Sequence, residues 1–242
     1  MKTLISIPVV FILLFCNSLF GQPSDFSWAA RHGKSYIKDP QDQKVPGPCH
    51  IFAAVAGVEA VVQIYFNNYV YGVQCLDLSE SQLYNSDCGL GCGAGIAVPH
   101  ALNLFLDLNP GVIDEYSLSY PENEPYCRSN CYTTYRYMVT IPHYSSLSIE
   151  NNTDLSKAII DYGPIIVTLP GTYDGRYAPY YMHDVGDDAA HSVLVVGWKS
   201  NPFKWYIKDS WPGHNVIDSF DIDLFKFEHY SIEFGQNIII TL

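Results

Sequence analysis

Positive charge is scarce in this chain. Only 13 lysines and arginines stand against 25 aspartates and glutamates in 242 residues, a formal net charge of -12. That balance argues against nucleic acid or an anionic membrane as partner, since both need a positive surface. Charge of either sign is sparse at 16%, while 48% of residues are hydrophobic, which is a globular composition rather than a disordered one. Neither an internal repeat nor a low-complexity linker breaks it up. The length allows one sizeable domain, with room for a division into two lobes. Tyrosine is plentiful at 19, which suits strands and aromatic-lined clefts better than a helical bundle.

A transmembrane anchor is not expected either. The N-terminal apolar run from Leu4 to Phe15 is short and contains Pro8. Preceded by Met1-Lys2 and followed by small and polar residues, it reads as a signal peptide over 1–21, cut after Gly21. Cys16 follows Phe15, which is too large for the small residue usual before a lipidated cysteine. The mature chain from residue 22 is therefore expected to be secreted, or held in the lumen of a lysosome-like vesicle. Asn151-Asn152-Thr153 is a glycosylation sequon in a polar loop.

Of seven cysteines, removal of Cys16 leaves Cys49, Cys75, Cys88, Cys92, Cys127 and Cys131. In an oxidising compartment most should pair. If all six do, Cys49 is structural; if Cys49 is a thiol, at least one other is unpaired or bonded elsewhere. The pairing stays open on the residues alone.

Cys49 stands out by position. A polar, turn-rich stretch ends at Pro48, and an apolar run follows from Cys49 to about Phe66. The run lacks strict alternation, but its length favours a buried helix. Proline suits a helix start, and a cysteine in the first turn meets the positive end of the helix dipole, which favours thiolate over thiol. Gln43, six residues upstream, offers an amide that the loop can fold back toward the sulfur. Cysteine is equally at home as plain core, so this stretch alone does not decide.

The rest of the chain reads as helices first and antiparallel strands second. Ser79 and Gln82 suggest a capping box opening a short helix at 78–83. The glycine-rich stretch 88–95 reads as a loop pinned by Cys88 and Cys92. It lacks the Lys-Ser/Thr ending of a phosphate loop. A third helix is expected over 96–106 and another over 154–162, with strands at 164–169, 192–198, 205–208 and 236–242. This is an α+β pattern with a cleft between the halves. His191 opens one late strand and Asp209 ends another. Each alone is unremarkable, but with Cys49 they can line up sulfur, imidazole and acceptor across that cleft.

In this order the motifs resemble those of the papain-like cysteine proteases. Phe26-Ser27-Trp28 is similar to the family's mature start, Gln43-x5-Cys49-x2-Phe52 to its nucleophile segment, and Leu78-Ser79-Glu80 to its "LSEQ" helix. Cys92-Gly93-Ala94-Gly95 resembles "CNGG", and Gly163-Pro164 the "GP" before a strand. His191 to Gly197 resembles "HAVLVVG", and Lys208-Asp209-Ser210-Trp211 resembles "KNSW". The resemblance implies a two-lobe fold over 22–242. A helical lobe (about 45–130) carrying the nucleophile helix packs against an antiparallel, β-barrel-like lobe (about 131–242) that takes in the N-terminal arm. It implies a thiol peptidase acting on peptides or proteins, without metal or cofactor. Cys49 would be the nucleophile, His191 its general base and acid, and Asp209 the residue orienting the imidazole. Gln43 would share the oxyanion hole with the Cys49 backbone N–H. Gly95 would line the substrate groove, Trp211 would shield the His–Asp contact, and Cys88–Cys127 would be a disulfide.

Several residues depart from the family pattern. Pro46 stands where a disulfide cysteine is usual, His50 replaces a tryptophan beside the nucleophile, and Asp209 replaces an asparagine. The long inhibitory prosegment is expected to be absent. These departures keep a second reading alongside the first, a papain-fold pseudoenzyme that binds without turnover.

Overall fold

The computed structural model describes residues 22–44, 48–66, 76–84, 97–107, 111–120, 135–169, 191–210, 218–220, 228–232 and 239–241. Pro48 is the N-cap rather than the first helical residue, and Cys49 opens helix α1, Cys49–Tyr65. Every residue from Cys49 to Gln63 is buried. A helix enclosed on all sides needs apolar residues all round, which is why its sequence shows no stripe. Phe66 closes it, its N–H donating to Val62 O at 3.0 Å.

Around α1 lie α2 (Glu80–Leu83), α3 (Val98–Asp107) and the strands β2 (Val112–Ile113) and β3 (Met138–Thr140). Ser79 caps α2 as its sequence predicts, its Oγ accepting from Gln82 N at 3.1 Å. The reciprocal half of the capping box does not form. Gln82 instead donates to Gly111 O at 3.1 Å and accepts from Ile113 N at 2.7 Å, stitching α2 to β2. A buried amide has more to gain from two backbone partners in the core than from one at its own cap.

The second half carries β4 (Tyr144–Leu147), α4 (Asn152–Tyr162), β5 (Ile165–Leu169), β6 (His191–Ser200), β7 (Phe203–Lys208), β8 (Asp218–Phe220), β9 (Glu228–Ile232) and β10 (Ile239–Thr241). They form an antiparallel sheet in the order β4-β9-β5-β6-β7-β8, with β1 (Asp25–Ser27) added to β6. Strand β10 leaves this sheet and pairs with β3, which also pairs with β2. Among the described residues the sheet does not close into a barrel, so the architecture is mixed α+β with an open sheet.

Alternation along β5 and β6 divides two cores. Ile166, Leu194 and Val196 face α1. Ile165, Val167, Val193 and Val195 face α4 and pack with Leu155 and Ile159. Both faces are therefore covered, and the strands read as continuous apolar runs. A register shift between Val195 and Gly197 marks a bulge, beyond which Trp198 joins the α4 side. Gly197 is where β1 crosses: a Cβ there would lie 2.0 Å from Phe26 O. Only glycine admits so close an approach, and it lets the N-terminal arm bind the sheet.

Candidate active site

The topology brings Cys49 and His191 together as the first residues of α1 and β6. Asp209 follows the last residue of β7, the neighbour of β6 in which Lys208 lies opposite Leu194. His191 and Asp209 thus meet at one end of adjacent strands. His191 Nε2 lies 2.8 Å from Asp209 Oδ1, and both residues are buried. The other ring nitrogen, Nδ1, is left for the sulfur, and the imidazole is hydrogen-bonded to Cys49. Cys49 is a thiol and not half of a disulfide. The reading in which Cys49 is a paired structural cysteine therefore falls away.

Gln43 enters through Ser210. The Ser210 hydroxyl donates to Gln43 Oε1 at 2.6 Å, and the Ser210 N–H donates to Asp209 Oδ1 at 2.7 Å. The Gln43 backbone is fixed as well: its N–H donates to Ser210 O at 2.8 Å, and Tyr120 Oη donates to its carbonyl at 2.8 Å. These contacts fix both the backbone and the side-chain carbonyl of Gln43 beside the start of α1.

Electrostatics favour an ion pair. Burial pushes the Cys49 thiol up. Hydrogen bonds with His191 and His50, the His191 charge and the Ser192 backbone outweigh burial and bring it down to about 6. Burial alone would lower the His191 imidazole; the Asp209 carboxylate, helped by the sulfur, holds it up at about 10. Between those limits thiolate faces imidazolium. Such a pair can attack an electrophilic carbonyl and deliver a proton to the group that leaves.

The model of the papain family cysteine proteases matches residues 22–218. The chain belongs to that family. A probable cysteine protease of Arabidopsis thaliana, RD19D, is 24% identical over 215 residues, covering 79% of this chain and 54% of the relative. A viral cathepsin of Adoxophyes honmai nucleopolyhedrovirus is 24% identical over 193 residues, 78% of this chain and 53% of its own. The chain spans about half the length of these curated relatives. Among solved structures, digestive procathepsin L2 proteinase from Tenebrio molitor superposes with a TM-score of 0.67. It is 20% identical over 90% of this chain and 70% of that one, so the likeness is one of fold.

A group of buried ionisable side chains lies close to the site. Glu59, ten residues along α1 from Cys49, is buried; its Oε1 accepts from Leu78 N at 2.8 Å and its Oε2 lies 3.9 Å from Lys208 Nζ. Burial pushes the Glu59 carboxyl up and the Lys208 ammonium down, each toward its neutral form. Glu80 is pushed well up by burial and by the charges of Glu59 and Glu115. With its amide assigned so that the nitrogen faces the carboxylate, Gln41 donates to Glu80 Oε1 at 2.8 Å and accepts from Lys38 Nζ at 2.9 Å, and Lys38 also pairs with Asp77. Gln41, Glu80 and Lys208 of this group line one small pocket together with Ser192, Asp209 and Ser210.

Sequence reasoning did not single out Ser210, although it sits inside the Lys208–Trp211 motif. Glu59 left a clear signal, a lone carboxylate in an apolar helix. Gly95, Trp211, Cys88 and Cys127 lie outside the described residues, as do residues 1–21, the expected signal peptide, and Cys75, Cys92 and Cys131. No helix among the described residues is long and apolar enough to cross a membrane.

Proposed function

We propose that this chain is a secreted cysteine peptidase acting on peptides or proteins, with Cys49 as nucleophile and His191 as proton carrier. The observation that carries the reading is the buried Cys49–His191–Asp209 line, with the thiol lowered to about 6 and the imidazole raised to about 10. In the proposed reaction the Cys49 thiolate adds to the scissile carbonyl carbon, and the Gln43 amide and Cys49 N–H receive the oxyanion. His191 gives its proton to the departing amine as the C–N bond breaks, leaving a thioester. Water then gives a proton to His191 and its oxygen to the acyl carbon. Acid is released, and thiolate and imidazolium are restored.

The family match and the cathepsin and protease names of the relatives support peptide-bond hydrolysis. For secretion, the support is the apolar N-terminal segment. The family match starts at residue 22, where the signal peptide is proposed to end, and residues 22–242 form the proposed peptidase unit. Gly95 and Trp211 are proposed substrate-groove residues by their motifs, and Cys88–Cys127 a proposed disulfide.

A pseudoenzyme reading draws on one feature: an imidazolium held at about 10 by Asp209 is a reluctant proton donor to the leaving amine. Cleavage of unstructured peptides by the protein lacking residues 1–21 tests both. Turnover that vanishes in Cys49→Ala with the fold intact supports the peptidase. Cleavage unchanged in that variant refutes the assignment. A Cys49 that alkylates rapidly at pH 7 without any turnover makes the chain a binding protein.

A further inference from the structure

His50 is the second residue of α1 and only 3% exposed. Its ring is hydrogen-bonded to the Cys49 side chain. Nε2 is buried and has no hydrogen-bond partner, so the bond to sulfur must use Nδ1. An orphaned N–H in the core costs the full desolvation of a donor. A bare ring nitrogen there is the cheaper choice, so the hydrogen sits on Nδ1 and points at the sulfur. Among the described residues, the titratable groups bearing on Cys49 are His50 on α1 itself, His191 on β6, and Asp209 after β7 acting through His191. Only the last two form the charge relay of the proposed reaction; His50 has no part in it.

We infer that His50 is a second, neutral hydrogen-bond donor to the Cys49 thiolate, through Nδ1, and that it stabilises the nucleophile without taking part in proton transfer. This rests on Cys49 being the nucleophile and deepens that reading. A charged donor alone would leave the thiolate dependent on His191. A neutral donor holds the sulfur anionic both before attack and when it departs from the thioester. Stabilisation has a counterpart: a thiolate of lower basicity is a weaker nucleophile, with a sensitivity of about 0.4–0.5 in the logarithm of rate per pKa unit.

The test is the rate of Cys49 alkylation by iodoacetamide from pH 4 to 9, read by peptide mass. It uses the wild type and the variants His50→Phe, His50→Asn and His50→Gln. Loss of the donor in His50→Phe is expected to raise the acid midpoint by about one unit. The plateau rate is expected to rise two- to threefold, roughly what the Brønsted sensitivity gives. Asparagine places its amide nitrogen near the position of Nδ1 and is expected to keep the wild-type midpoint. Glutamine places its nitrogen nearer Nε2 and is expected to behave like phenylalanine.

An unmoved midpoint in His50→Phe overturns the inference, and so does a raised midpoint with a fallen plateau, which marks a collapsed site. If the phenylalanine variant does not fold, the amide pair decides: equal midpoints for asparagine and glutamine overturn it. Peptide cleavage is no part of this readout. A shifted midpoint in a wild type that cleaves nothing keeps His50 and removes the peptidase. An unmoved midpoint in an active enzyme does the reverse.

Discussion

Ser210 donates its hydroxyl to Gln43 Oε1 at 2.6 Å while its own N–H binds Asp209 at 2.7 Å. One residue thereby holds both the proposed oxyanion amide and the carboxylate behind the imidazole. Gln43, Ser210, Asp209, His191, Cys49 and His50 form an unbroken run of hydrogen bonds drawn from the loop before α1, the end of β7, the start of β6 and the start of α1. Removing an oxyanion donor outright costs about 10²–10³ in turnover.

Ser210→Ala leaves the Gln43 donor present but unanchored, so a smaller loss in kcat is expected, about tenfold. The readout is the steady-state kinetics of peptide cleavage beside the Cys49 alkylation profile. Turnover should fall while the acid midpoint stays near 6, because Ser210 does not bond the sulfur. A midpoint that moves with turnover would mean that Ser210 acts through His191 instead.

Asp209→Asn separates charge from geometry. The raised imidazole carries its proton below about 10 and loses it as pH rises through that value. Asparagine keeps a hydrogen-bond acceptor and removes the carboxylate charge, the larger favourable contribution, so the His191 limb should move down from about 10 by more than one unit. A weaker imidazolium also stabilises the thiolate less, so the acid limb should move up from about 6. The pH window for peptide cleavage therefore narrows from both sides. A window that shifts as a block, or not at all, would take Asp209 out of the electrostatics.

Legibility in the sequence followed the range of the forces. Helix α1 was readable because its start is local, a polar loop ending in Pro48 before an apolar run, and its enclosure shows as missing periodicity. Strands β5 and β6 were readable from apolar runs that need both faces covered. The capping box at Ser79 was half right: the cap is local, but the choice of Gln82 was decided by Gly111 and Ile113, close in space and far in sequence. The proximity of Cys49, His191 and Asp209 rested on the family resemblance and on motif order, not on periodicity. The partners of Ser210 are set by contacts within the folded core, which no spacing encodes.

Gly197→Ala tests how the N-terminal arm is held. The new Cβ would sit 2.0 Å from Phe26 O and 2.7 Å from Ser27 Cα, both backbone atoms that cannot swing aside. Strand β1 must move off β6, and Phe26 must leave its stack on Trp198, where the ring centroids are 5.1 Å apart. Denaturant unfolding should show a loss of about 3 kcal/mol or more. Limited proteolysis should cut the arm near residues 25–36 well before the rest of the chain. An arm as resistant as in wild type would show that the bulge at β6 absorbs the methyl group.

Glu59 and Lys208 make the last case, because here the isosteric and the truncating change should part company. Glu59→Gln keeps an oxygen for the Leu78 N–H and fills the same volume. Since burial already pushes both partners toward neutrality, this variant should cost little in stability, about 1 kcal/mol. Glu59→Ala removes the acceptor of the buried Leu78 N–H and opens a void in the core. Losing a buried hydrogen-bond partner and leaving a cavity costs about 2–5 kcal/mol. A double variant, Glu59→Leu with Lys208→Met, removes both desolvation penalties and should recover most of that loss. Because Lys208 precedes Asp209, the alkylation midpoint of Cys49 should follow the stability in this series. If Glu59→Gln and Glu59→Ala melt at the same temperature, the Leu78 contact and the volume of the side chain carry no stability.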